Sequence, residues 1–179
     1  IMGTVKKSKA IKRSGAKNGD DIYVSGDLGR AALCLKKINE GSQPSTTELN
    51  KLNKPVPRLK LGSALKNIAS SCIDISDGLE QDLSHILSAS KVGAIIDSNN
   101  LPLSDTVKEY IKSTQDWGLP LCGGDDYELC FTSDKSNQSE IKKLSENLKV
   151  RITKIGVINN SLNLNIKGYD GLSKSFKHF

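Results

Sequence analysis

The chain has 179 residues, 36% of them apolar and 26% charged, and a net charge of +6. That length suffices for one sizeable domain with its own core. No segment approaches the roughly 20 apolar residues of a membrane helix, nothing at the start reads as a signal peptide, and aromatics, at 4%, are too few to build stacking platforms for single-stranded nucleic acid. The chain is therefore expected to be cytoplasmic and to bind neither membrane nor nucleic acid. Its scattered lysines read as a solvated surface that would also suit an anionic ligand. Cys34, Cys72, Cys122 and Cys130 contain no C-x-x-C pair, and His85 and His178 lie far apart, so free thiols are expected and zinc is not.

The opening, Ile1 to Val5, is strand-like and reads as a truncated start. Asp21 to Ser25 is a strand after the turn-like Asn18-Gly19-Asp20. It runs into "GDLGRAALCLKKI", where Ala32, Leu35 and Ile38 are spaced for one helix face. Thr47 to Leu52 reads as a short helix stopped by Pro55 and Pro57. Pro57 then suits the first turn of a helix over Arg58 to Ala69, with Leu61, Leu65 and Ile68 inward. Cys72 to Ile75 is a strand. Gly78 to Ala89 is a helix whose Leu79, Leu83, Ile86 and Leu87 form one stripe.

Gly93 to Asp97 is a strand, followed by a helix near Asp105 to Ile111. Tyr127 to Thr132 is a strand with Tyr127, Leu129 and Phe131 on one face, and Ser139 to Leu148 is a helix. Arg151 to Ile158 and Leu162 to Ile166 read as a closing hairpin over Asn159-Asn160. Strands alternating with helices predict an α/β fold, a layered mixed sheet with packed helices.

Two acidic stretches interrupt apolar strands. In "CIDISDGLEQDL", Asp77 with Glu80 three residues later resembles a capping box, which leaves Asp74 unexplained. Alternation puts Asp74 and Ser76 on one side, and two carboxylates with a hydroxyl at a strand end suit a hard cation such as Mg2+. In "GGDDYELCFT", the glycines allow a turn or the close approach of a ligand, while adjacent Asp125 and Asp126 repel unless solvated or paired with a cation. "KRSGAKNGD" holds Arg13, either in a solvated turn or as a phosphate grip. "GDLGRAA" lacks the glycine spacing of a nucleotide-binding loop. His85 reads as a surface residue and Trp117 as partial core.

Taken in order, "RSGAKNGDDIYVSGDLG", "IDISDGLEQDLSHI", "GGDDYELCFT" and "KGYDG" resemble the thiamine-monophosphate kinase family, within the aminoimidazole ribonucleotide synthetase superfamily. The resemblance implies ATP-dependent, Mg2+-assisted phosphorylation of thiamine monophosphate to thiamine diphosphate by a homodimer whose chain is about twice as long. It implies that residues 1–10 are the remnant of an N-terminal ATP-binding domain and 11–179 the C-terminal α/β domain, inactive by itself. It assigns Arg13 and Ser76 to ATP, Asp74 and Asp77 to Mg2+, and Asp125 and Tyr169 to the acceptor. No covalent nucleophile is implied. Asp125 stands where the family usually has glutamate, so the charge is kept and the reach shortened. The rival readings are a superfamily enzyme with another small phosphate acceptor and a non-catalytic binding module.

Overall fold

A computed structural model describes residues 4–6 and 9–169. Ile1 to Gly3, Lys7, Ser8, His178 and the last two residues of "KGYDG" lie outside the described residues. Six strands form one sheet: β1 (Asp21–Ser25), β2 (Ala69–Ile75), β3 (Gly93–Asp97), β4 (Glu128–Ser133), β5 (Ile152–Asn159) and β6 (Leu164–Lys167), in the order β2-β4-β1-β5-β3-β6. The pairings are antiparallel except β3 with β6, so the sheet is mixed as expected. The helices are α1 (Arg30–Asn39), α2 (Thr46–Asn53), α3 (Leu59–Ala64), α4 (Leu79–Ser90), α5 (Asp105–Thr114), α6 (Gly118–Cys122) and α7 (Gln138–Leu148).

Strand alternation sorts side chains onto two cores. β1 is buried along its whole length: Ile22 and Val24 join one core, Tyr23 the other. On the first face, Ile73 and Ile75 of β2 and Cys130 of β4 meet the predicted α4 stripe, Leu79, Leu83, Ile86 and Leu87. On the second, Phe131 stacks on Tyr23 with ring centroids 5.3 Å apart, under Leu61 and Leu65 near α3 and Ile141 of α7. Burying a side chain of this size contributes about 1.5–3 kcal/mol.

Several expectations change. The helix expected over Arg58 to Ala69 ends at Ala64, yet Leu61, Leu65 and Ile68 are buried as read. α1 turns the other way: Ala31, Leu33 and Cys34 are buried, whereas Leu35 and Ile38 are exposed. Both sides of that helix are apolar, so its spacing does not choose between them. Tyr127 precedes β4 and is exposed, unlike Phe131. The closing hairpin does not form, because β3 lies between β5 and β6. His85 is exposed, Trp117 packs partly buried against the first core, and none of the four cysteines forms a disulfide.

Candidate functional site

The strand registers bring the C-terminal ends of β1, β2, β3 and β6 and the first residues of β4 and β5 to one end of the sheet. At this end the two acidic stretches are joined through their backbones. The Asp125 N–H donates to the Ser76 carbonyl at 3.0 Å, and the Tyr127 N–H to the Ile75 carbonyl at 2.8 Å. A Cβ on Gly124 would collide with the Ser76 carbonyl, which explains the glycine there. Asp125 and Tyr127 both adopt the left-handed conformation, with φ of 67° and 49°. Aspartate tolerates that region, whereas for a bulky residue such as tyrosine it is an outlier.

Asp82, buried in the first turn of α4, holds the other loop. One of its oxygens accepts the N–H groups of Ser76 and Asp77, each at 3.0 Å. Burial pushes its carboxyl up, the two backbone bonds oppose this, and the charges of Asp77 and Asp74 add to the rise. The capping-box reading of Asp77 fails: the N-cap of α4 is Gly78, without a side-chain cap bond. The Asp77 carboxylate instead accepts from Gln81 Nε2 at 3.2 Å, and Glu80 accepts from the Cys122 thiol at 3.3 Å.

Asp74 and Asp77 are exposed, and Ser76 and Asp125 half-buried, at this junction. The Tyr127 phenol donates to Asp125 Oδ1 at 3.2 Å. That hydrogen bond, then the Asp125 charge, burial, and the charges of Asp74 and Asp77 raise the phenol's pKa. Four carboxylates, those of Asp74, Asp77, Asp82 and Asp125, therefore share one electrostatic neighbourhood. Among the described residues no three histidine, cysteine, aspartate or glutamate side chains converge as a ready metal cage. Asp74 and Asp77 nevertheless fit Mg2+, which takes one or two carboxylates and completes its shell with water and substrate phosphates.

Arg13 and Asp74 line one open cavity of about 770 Å3 between β2, α3 and the segment before β1, shared with Lys9, Arg58 and Lys66. The segment carrying Arg13 is fixed by the Cys72 N–H donating to the Lys12 carbonyl at 3.0 Å. The Ser90 hydroxyl accepts the Gly15 and Ala16 N–H groups at 3.1 and 3.2 Å. Tyr169 is placed differently. It follows β6, partly buried against the first core, at the same end of the sheet as Asp125. Four strand spacings, roughly 19 Å, separate β6 from β4.

Two supports were not foreseen. Glu128 is 1% exposed; its Oε1 accepts from Lys51 at 2.7 Å and Arg58 Nη2 at 2.6 Å, and its Oε2 from Arg58 Nε and the Ser25 hydroxyl, each at 2.6 Å. Burial alone would raise its pKa, but the Arg58 bonds and then the Lys51 charge hold it below the ordinary value. Asp126, also buried, accepts the Gly29 N–H at the start of α1 at 2.8 Å, while its other oxygen has no partner among the described residues. Burial pushes its carboxyl up to about 7. The "DDYE" alternation, with Asp125 and Tyr127 outward and Asp126 and Glu128 inward, was the available signal.

A profile of the family described as "AIR synthase related protein, C-terminal domain" matches residues 17–167. The chain belongs to this family. It is 40% identical to a thiamine-monophosphate kinase of Buchnera aphidicola subsp. Schizaphis graminum, over 100% of this chain and 58% of the relative. The crystal structure of the Stenotrophomonas maltophilia K279a thiamine-monophosphate kinase superposes with a TM-score of 0.86 at 35% identity, covering 93% of this chain and 56% of that one. AaThiL complexed with AMPPCP and TMP superposes at 0.78 with 28% identity, over 94% of this chain and 54% of its own. The chain thus spans little more than half the length of these family members. No described helix is long and apolar enough to cross a membrane.

Proposed function

We propose that this chain is the C-terminal domain of a thiamine-monophosphate kinase, which transfers the γ-phosphoryl group of ATP to thiamine monophosphate. The observation that carries this reading is the backbone junction that sets Asp74, Ser76, Asp77 and Asp125 side by side at the sheet end, with Asp74 facing the cavity that Arg13 lines. The 40% identity to a named thiamine-monophosphate kinase supports it, as does a related structure holding both AMPPCP and TMP. In this reading residues 11–179 are the C-terminal α/β domain. Residues 1–10 lead from an ATP-binding domain, and the complete protein is a cytoplasmic homodimer.

Phosphoryl transfer asks a protein for position and charge. Arg13 binds donor phosphate oxygens, as a guanidinium can with two parallel bonds. The Ser76 hydroxyl contacts the nucleotide beside Asp74. Asp74 and Asp77 hold Mg2+, which when bound neutralises phosphate charge and helps align donor and acceptor. Asp125 faces the cationic acceptor, and Tyr169 lies against it on the β6 side. A phosphate oxygen of thiamine monophosphate attacks directly, so no residue is phosphorylated.

The test is a thiamine diphosphate assay with ATP and Mg2+ on the full-length gene product. It should convert thiamine monophosphate, while the 179-residue chain alone should not at a rate typical of small-molecule kinases. ATP consumption with another phosphorylated acceptor but not with thiamine monophosphate would replace this reading by a different superfamily activity.

A further inference from the structure

We propose that Tyr127 is a specificity-determining residue of the acceptor site, its phenol fixing Asp125 and its ring contacting the flat cationic head of thiamine monophosphate. This rests on the kinase reading above. Three observations meet at Tyr127. First, a bulky residue is held at φ 49°, outside its ordinary range, by the Tyr127 N–H bond to the Ile75 carbonyl. Non-glycine strain of this kind persists where the surroundings over-determine it, and it concentrates at ligand clamps. Second, the side chain is 42% exposed, although Phe131 in the strand that follows is wholly buried. Core packing therefore does not explain the aromatic.

Third, the phenol donates to Asp125 Oδ1 at 3.2 Å and lies in the field of Asp74 and Asp77. An aromatic face bordered by carboxylates suits a cationic heteroaromatic ring, which can stack on it or make a cation–π contact. Asp126 locks this arrangement from below. Its carboxylate grips the Gly29 N–H and points inward, so its two neighbours in the chain project outward. Tyr169, four strands away, does not occupy this position.

The experiment measures KM for thiamine monophosphate and for ATP in the full-length kinase, with Tyr127→Phe, Tyr127→Leu and Tyr127→Gly. Tyr127→Leu should raise the thiamine monophosphate KM about tenfold and leave that for ATP within about twofold. Tyr127→Phe, which keeps the ring and frees Asp125, should raise it about threefold to fivefold. Tyr127→Gly should match Tyr127→Leu in KM while its Tm is unchanged or higher, because glycine adopts φ 49° freely. An active wild-type kinase with an unchanged thiamine monophosphate KM in Tyr127→Leu overturns the proposal and leaves the kinase reading standing. Equal rises in both KM values, with a lower Tm in Tyr127→Gly, also overturn it, since the residue would then act through the fold. A wild-type protein inert toward thiamine monophosphate defeats the underlying reading instead.

Discussion

Arg58 and Glu128 form a two-pronged ion pair, Nε to Oε2 and Nη2 to Oε1, each at 2.6 Å. It ties the N-cap of α3 to the first residue of β4, directly behind the Asp125–Tyr127 loop. Glu128→Gln should therefore destabilise the domain by about 3–5 kcal/mol, the range for breaking a buried pair. Glu128 is held below its ordinary pKa, so its contribution is complete above the unfolded value and is lost as pH falls through the folded one. Denaturant titrations should show the gap between wild type and Glu128→Gln closing below about pH 4. A constant gap across that range would show that the charge is not what stabilises.

Asp74→Asn and Asp77→Asn should each lower kcat of the full-length kinase by orders of magnitude and raise the Mg2+ concentration needed for half activity. Both side chains are exposed and neither caps a helix, so thermal unfolding should hardly move. Near-normal activity with unaltered Mg2+ dependence in Asp74→Asn would remove it as a ligand.

Asp82 separates shape from charge. Asp82→Ala removes the acceptor for two backbone N–H groups and should cost about 1–3 kcal/mol. Asp82→Asn keeps an oxygen there and should recover most of that stability. With one fewer negative charge behind Asp74 and Asp77, it should still bind Mg2+ more weakly in calorimetry. Equal Mg2+ affinity in Asp82→Asn and wild type would confine Asp82 to holding the loop.

Asp126 makes the opposite pH signature. Its folded pKa, about 7, lies above the unfolded value. Its contribution is thus complete below the unfolded pKa and lost as pH rises toward 7. Asp126→Asn, uncharged throughout, should gain Tm relative to wild type as pH rises from about 4 to about 7 and keep a constant lead above that. A Tm difference that does not change with pH would mean that the carboxyl stays in one protonation state.

Much of this was legible locally. β1 and β3 lie where their β-branched runs place them, and the α4 stripe points inward because it packs on one sheet face. Asp74 was the useful anomaly, a charge in an apolar strand that no cap explained. The failures share a cause. The Glu128 cluster joins residues 70, 77 and 103 positions away in the chain, and local spacing carries no trace of such pairings. α1 contacts α2, α5 and α6, so two of its sides compete for burial. The expected hairpin failed because nearness in sequence makes β5 and β6 plausible partners, while β3 offers each of them an apolar edge.

The strand order also dictates a sequence of events during synthesis. Of the six strands of the described sheet β1 emerges first, yet its two neighbours, β4 and β5, start more than a hundred residues later, at Glu128 and Ile152. Until then both edges of an apolar strand have nothing of their own to pair with, and such edges recruit other chains. Contacts this distant make folding slow and leave the unfinished chain prone to aggregation. The segment from α2 to α4 can organise early through its own turns, but the sheet centre closes only once nearly all of the domain has left the ribosome. A ribosome stalled before β4 would release a chain with both edges of β1 bare, and one stalled between β4 and β5 a chain with one edge bare.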